Sequence, residues 1–377
     1  MTVRPREGIL ELLHKRKLTM AEPDRQTQKE SQQTLIERQL RKSIGPLALF
    51  SNFISLFLIG MLAERTVSLP WIADAMPTNA EPESNLKRIN RFLCDHRLTT
   101  EAFALAIAAY LPQKPWILII DRTNWFWGKN PINLFVLSVL VNGDAIPLII
   151  MPLERDGASN TEHRKTLLGK FIELFGTKSI EYVTADREFI GEEWIKWLLS
   201  CKIPFRIRLR NDDLVTDQNG TVYEVACLFK RSNQCRKPRF LLWGSWVYLG
   251  GKPLGNGKWL VIASDAPGNL LEDYRRRWKI ECLFQALKER GFQLEDTRLT
   301  LPSRLCALMG LVSLGYLWCL RVGQTLPARL SKSLSRPRQS AFRRGLRRVH
   351  RVAQWLAAAP KECVFVAVMQ AIAPCRT

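Results

Sequence analysis

Between Lys114 and Ser200 the chain reads as three apolar runs, a helix, a fourth apolar run and a second helix, and this order limits the possible folds more than any other feature. PWILIID (115–121) is a short apolar strand that ends in Asp121. LFVLSVLV (134–141) and AIPLIIM (145–151) flank Asn142-Gly143, a pair suited to the positive φ angles of a tight hairpin turn. TEHRKTLLGKFIELF (161–175) is helical in spacing and closes at Gly176. SIEYVTAD (179–186) is another strand, ending in Asp186, and EEWIKWLLS (192–200) another helix. Antiparallel strands followed by a strand–helix alternation predict a mixed α/β layer fold.

The segments around this core differ in character. Residues 1–110 are expected to be all-helical, with a weak amphipathic pattern in SQQTLIERQLRKSI (31–44). Within them LPWIADAM (69–76) and LKRINRFLCDHRL (86–98) predict two helices separated by a turn-rich PTNAEPESN. The core continues over 111–202. FRIRLR, TVYEVACLF, RFLLWGSWVYL and WLVIAS, parted by N-D-D, Q-N-G and G-N-G turns, predict a β-rich insertion over 203–265. A second part of the core spans 266–322, and a basic helical region spans 323–377. From Arg321 to Arg351 there are ten Lys or Arg and no Asp or Glu.

Charge narrows the partners. Lys and Arg outnumber Asp and Glu by 56 to 35, a net charge of +21, which favours a polyanion, nucleic acid before an anionic membrane. Arg88 and Arg91 lie three apart on the second N-terminal helix and share a face, as DNA contacts require and as a solvated helix face also allows. Nine scattered cysteines without a C-x-x-C pair fit reduced thiols and no zinc site. Four separated histidines leave little for a His-based metal site or a Ser-His-Asp triad. The first thirty residues are polar, so no secretory leader is expected. Ile44 to Ala63 is a 20-residue uncharged run, long enough for a membrane span. Its Gly45, Pro46, Ser51, Asn52, Ser55 and Gly60 favour a buried core helix instead, and Leu305 to Leu320 is read the same way. GGKPLGNGKW (250–259) lacks the spacing of a phosphate-binding loop.

YRRRWKIECLFQALK (274–288) concentrates cations and aromatics around one carboxylate. At about 100° per residue, Tyr274, Arg277, Glu281 and Lys288 fall in one stripe roughly 60° wide. Ile280, Leu283, Phe284 and Leu287 cluster on an adjoining face suited to core packing. Asp121 and Asp186 end predicted strands, where open α/β sheets collect reactive groups. Two aspartates and a helix-borne glutamate suit hard divalent cations; each aspartate alone reads equally as a strand terminator or helix cap.

The pattern Y-x-x-R-x-x-x-E-x-x-x-x-x-x-K, filled by Tyr274, Arg277, Glu281 and Lys288, resembles the signature of a large group of bacterial insertion-sequence transposases. Arg277, Trp278, Ile280 and Glu281 (RW-x-IE), IIDRTN (119–124) and TADREF (184–189) are similar to them too, in the same order, over about 115–300. The resemblance implies an α/β, ribonuclease-H-like catalytic core. It implies that Asp121, Asp186 and Glu281 are catalytic and bind two ions of Mg²⁺ or Mn²⁺, while Tyr274, Arg277 and Lys288 contact phosphates. The implied partners are double-stranded DNA, as transposon ends and target, and a second copy of the chain as a homodimer on DNA. The implied location is cytoplasmic, bacterial and nucleoid-associated, with no membrane partner.

Such enzymes cut and paste through a hairpin intermediate that requires a flipped base. Trp243, Trp246 and Trp259 are candidates to stack on it, or are sheet-core residues. Arg187 either touches DNA or balances the charge of Asp186. Two alternatives stand beside the transposase: a descendant that binds DNA without cutting, and a nuclease on the same core.

Overall fold

The computed structural model describes residues 45–153, 159–229, 235–328, 330 and 337–358. The expected amphipathic segment at 31–44 and the last part of the basic region lie outside the described residues.

Ten strands form one sheet: β1 (Trp116–Trp127), β2 (Asn130–Val141), β3 (Asp144–Leu153), β4 (Ile180–Ala185), β5 (Phe205–Arg208), β6 (Leu214–Thr216), β7 (Val222–Glu224), β8 (Cys235–Leu242), β9 (Ser245–Gly255) and β10 (Lys258–Ser264), in the order β3-β2-β1-β4-β5-β10-β9-β8-β6-β7. The hairpin at Asn142-Gly143 forms as its residues dictate, with φ of 50° and 79°. β1 runs antiparallel to β2 and parallel to β4, and β4 is parallel to β5. Crossing back to a parallel neighbour takes α5 (Thr161–Phe175) before β4 and α6 (Glu192–Ser200) before β5. This mixed α/β arrangement is consistent with a ribonuclease-H-like transposase domain. The strands from 235 to 264 do not form a separate sheet: β10 pairs antiparallel with β5 and carries the same sheet outward.

The helical segments before the sheet are α1 (Ser51–Glu64), entered through a 3-10 turn at Gly45–Phe50, then α2 (Leu69–Ala75), α3 (Pro82–Phe92) and α4 (Thr100–Ala108). α3 begins four residues earlier than its apolar spacing predicts, because Pro82 suits a first helical turn, whose N–H groups have no partner. After the sheet come α7 (Leu270–Arg275), α8 (Trp278–Gln285), α9 (Pro302–Thr325) and α10 (Ala341–Ala358). β2 is buried over eight consecutive residues, Ile132 to Val139, so protein covers both faces. α4, α8 and α9 pack against β3. α9, and α1 taken together with the turn that leads into it (Leu47–Glu64), are apolar and long enough to cross a membrane, yet most of each is buried inside the fold.

α9 and α10 meet at a glycine pair. A Cβ on Gly323 would stand 1.7 Å from the Ala341 carbonyl oxygen, and one on Gly345 would stand 1.6 Å from that of Cys319. Only hydrogen at both positions lets the two backbones approach this closely.

Candidate active site

The strand register puts the two aspartates together. Ile120 is the partner of Ala185 across the parallel β1–β4 ladder, so the next residues, Asp121 and Asp186, are neighbours one strand spacing apart. Ala185 is in turn the partner of Ile207 on β5, which places Arg208 beside Asp186 in the same row. The sequence expectation that Asp121 ends a strand needs correction. β1 continues to Trp127, pairing only with β2, and it is β4 that stops at this level. Asp121 therefore sits within a strand, at the point where its parallel neighbour ends.

Each aspartate is fixed by its own backbone. Asp121 Oδ1 accepts from the N–H of Arg122 at 2.8 Å, and Asp186 Oδ1 accepts from the N–H of Arg187 at 2.8 Å. Asp186 also accepts from the Tyr274 hydroxyl at 3.0 Å and makes a long ion pair with Arg208 at 3.4 Å. Burial opposes ionisation of Asp186, but the Arg187 amide, Arg277, Arg208 and Tyr274 outweigh it and hold its pKa below the usual range. Asp121 is pushed up to about 6 by burial, which Arg277 and the Arg122 amide only partly oppose and Glu188 and Asp186 reinforce.

Glu281 joins through Arg277. One Nη of Arg277 donates to Asp121 Oδ2 at 2.9 Å and the other pairs with Glu281 Oε1. Burial lowers the pKa of this guanidinium, but Tyr274, Asp121, Asp186 and Glu281 reverse that and keep it charged.

The helix that carries the signature is not the uniform one that a constant angle per residue assumes. It tightens at Arg276–Arg277, where Arg277, Lys279 and Ile280 each donate to the carbonyl three residues back. It then widens into a π-helical turn at Ala286–Gly291. Over-winding followed by under-winding keeps the four signature residues on the side that meets the sheet. Lys288 reaches β1, donating to the Asn124 carbonyl at 2.7 Å and pairing with Glu295 at 2.9 Å.

The loop behind Asp186 is clamped by residues that the sequence reading missed. Arg122 forms a two-point ion pair with Glu188, at 2.6 and 3.1 Å. Buried Arg164 on α5 donates to the carbonyls of Glu188 at 2.8 Å, Ser159 at 2.9 Å and Ile190 at 3.2 Å. Arg208 was also missed. The alternation in FRIRLR puts Arg206 and Arg208 on one face of β5, but only the register shows which aspartate they meet.

The remaining expected residues are spread over the structure. Arg91 is exposed on α3, and Arg88, half-buried on the same helix, lies over the Phe53 ring at 5.6 Å. Trp243 occupies the β8–β9 turn with φ of 47°, an uncommon conformation for so large a side chain, and it and Trp259 are half-buried against the core. Trp246 on β9 is exposed. Trp278, next to Arg277 in the sequence, was not among the stacking candidates, yet it is 61% exposed.

Oxygen donors of this kind suit a hard divalent cation: Asp121 and Asp186 are neighbours across the sheet, and Glu281 is linked to Asp121 through Arg277. Among the described residues no three such side chains are spaced to share an ion. The Arg277 guanidinium stands between Asp121 and Glu281, and it is this organic cation that balances them here.

The chain matches a family model described as the transposase DDE domain over residues 112–318, a stretch that contains both aspartates, Glu281 and all four signature residues. No curated protein matches the chain. The matched region is more than half of the 377 residues and spans the strands and the helical segment that bring the carboxylates together, so the chain belongs to the transposase DDE-domain family.

Proposed function

We propose that this transposase is the cut-and-paste enzyme of a bacterial insertion sequence of the Y-R-E-K signature group, acting on double-stranded DNA as a homodimer in the cytoplasm. The observation that carries the reading is the β1–β4 register, which sets Asp121 beside Asp186, together with Arg277, which ties Glu281 to Asp121. The family generally uses divalent metal ions. Asp121, Asp186 and Glu281 are the residues that would hold Mg²⁺ or Mn²⁺, which when bound neutralises charge on the phosphate and makes an attacking oxygen more acidic.

The chain's own residues account for the rest of the site. In the first step a water oxygen bonds to phosphorus and the bond to the 3′-oxygen breaks, leaving a 3′-hydroxyl and a 5′-phosphate. That 3′-hydroxyl then bonds to the phosphorus of the opposite strand and displaces the flanking 3′-oxygen, closing a hairpin. A second water opens the hairpin and restores the 3′-hydroxyl, which bonds to a target phosphorus and displaces a 3′-oxygen there. Arg277 is positioned to move from the carboxylates to the phosphate once their charge is otherwise balanced. Arg208, with one long contact to Asp186 and a buried Nε lacking a partner among the described residues, supplies a second cation. Tyr274 orients Asp186, and Lys288 holds the signature segment against β1. Exposed Trp278 is a stacking platform for an unpaired base, alongside Trp246.

The test is supercoiled plasmid carrying the element's ends, incubated with Mg²⁺ and the protein. Joined products support transposition. Nicking alone points to a nuclease, and binding without cleavage points to a descendant that no longer cuts.

A further inference from the structure

α10 carries a strip of arginines with no role in the carboxylate site. Its Phe342, Leu346, Val349, Ala353 and Leu356 are buried, and Arg343, Arg347, Arg348 and Arg351 are exposed on the other side. The Gly323–Gly345 contact presses the helix against α9, so the strip is presented by a rigid support. Between α10, the end of α1 and the π-helical turn runs a groove of about 450 Å³, lined by Arg65, Arg290, Arg343, Arg347, His350 and Arg351. No carboxylate lines it, and among the described residues these five arginines form no ion pair. Arg347 and Arg351 also line a second hollow with Arg338, Arg344 and Arg348, so the two basic surfaces are continuous. Glu64 and Glu289 line a neighbouring hollow that shares Arg65 and His350 with the groove, so the basic surface ends on that flank.

We infer that this arginine groove is a second DNA-binding surface, which holds the phosphodiester backbone of a duplex away from the reacting phosphate. The chemistry favours a polyanion over a single small anion. Arg343, Arg347 and Arg351 recur about every 6 Å along the helix axis, and each strand of B-DNA offers a charge about every 3.4 Å. An isolated phosphate would engage one or two of these cations and leave the others repelling one another. The π-helical turn joins the two surfaces: Lys288 bonds β1 near the carboxylates, and Arg290, two residues on, lines the groove, fixed by Arg65 donating to its carbonyl at 3.0 Å. The inference rests on the transposase reading for its choice of DNA, and not on the roles given to the carboxylates.

The experiment measures binding of a fluorescein-labelled duplex to the full chain by anisotropy over a range of salt. The variants are R343Q/R347Q/R351Q, its lysine counterpart R343K/R347K/R351K, and R65Q/R290Q from the facing wall. For every phosphate that a variant no longer neutralises, the slope of log affinity against log salt falls by about 0.9. The glutamine triple is expected to lose up to about 2.7 units of slope and at least about tenfold in affinity, R65Q/R290Q up to about 1.8 units, and the lysine triple almost nothing. These side chains are exposed, so unfolding temperatures stay close to wild type. Unchanged slopes in both glutamine variants overturn the inference, as does binding of anionic phospholipid vesicles that these variants lose while DNA binding is kept. Failure of the transposase reading shows elsewhere, as plasmid products that never join, and leaves the slopes untouched.

Discussion

Arg277 and Asp121, 156 positions apart in the sequence, are joined by an ion pair at 2.9 Å with side-chain exposures of only 10% and 17%. The other arm of the same guanidinium holds Glu281. One side chain thus fastens the signature segment to the central strand and neutralises two of the three carboxylates. Removing it leaves two acids facing each other in a poorly hydrated place, and that sets the sign of the first prediction.

Arg277→Gln is expected to lower stability by on the order of 2–3 kcal/mol, somewhat less than breaking a fully buried pair, because Glu281 keeps part of its hydration. Thermal unfolding in chelator measures it. Adding Asp121→Asn to Arg277→Gln is expected to recover much of the loss, since the repulsion then has one partner fewer. A loss in the double variant equal to the sum of the two singles would show that the pair does not couple.

Glu281→Gln is expected to abolish cleavage while leaving binding to a transposon-end duplex within about threefold, since the basic surfaces that dominate affinity are untouched. Gel shift and plasmid cleavage on the same preparation decide it. A variant that still nicks at the wild-type rate removes Glu281 from the chemistry.

Much of this site was legible in the sequence because two strands and a signature each carry a local pattern. The Asn142-Gly143 turn, the strand at 180–185 and the helix at 161–175 follow from turn chemistry and apolar period, and the structure has all three. The level at which Asp121 stands was not legible, because strand β1 has no breaker after it and runs on as a hairpin with β2. Nor was the partner of Arg208, which depends on a parallel register set by two crossover helices and not by neighbouring residues. The tightening at Arg276–Arg277 and the π-helical turn were invisible for another reason. Gly291 allows the π turn because a Cβ there would lie 2.4 Å from the Ala286 carbonyl oxygen and 2.7 Å from Phe342, a residue on a different helix.

Mg²⁺ or Mn²⁺ is expected to raise the unfolding temperature, by the equivalent of about 2.7 kcal/mol when the free ion is a hundredfold above its dissociation constant. Asp186→Asn should remove most of that increment. Arg277→Gln should enlarge it, because the ion no longer competes with a guanidinium for Asp121 and Glu281. Calorimetric titration of the same three proteins gives an independent measure, and an ion that binds wild type and Asp186→Asn equally sits elsewhere.

The glycines at the α9–α10 crossing should respond differently from a glycine in open space. Gly345→Ala puts a methyl group against the Cys319 carbonyl oxygen, where no rotamer change relieves it, so the helices must separate. Overpacking of this kind costs about 1–3 kcal/mol, and a backbone–backbone contact with no flexible end belongs at or above the upper limit. Gly169, in the middle of α5, has nothing within 4 Å of its missing Cβ. Gly169→Ala is therefore expected to stabilise by about 0.5–1 kcal/mol, through the reduced freedom of the unfolded chain. Denaturant unfolding of the two variants side by side measures both signs. If Gly345→Ala also detaches α10, the salt slope of DNA binding should fall with stability, as in the glutamine triple, while Gly169→Ala leaves that slope unchanged. A Gly345→Ala protein as stable as wild type would mean that the two helices do not cross as closely as Gly323 and Gly345 place them.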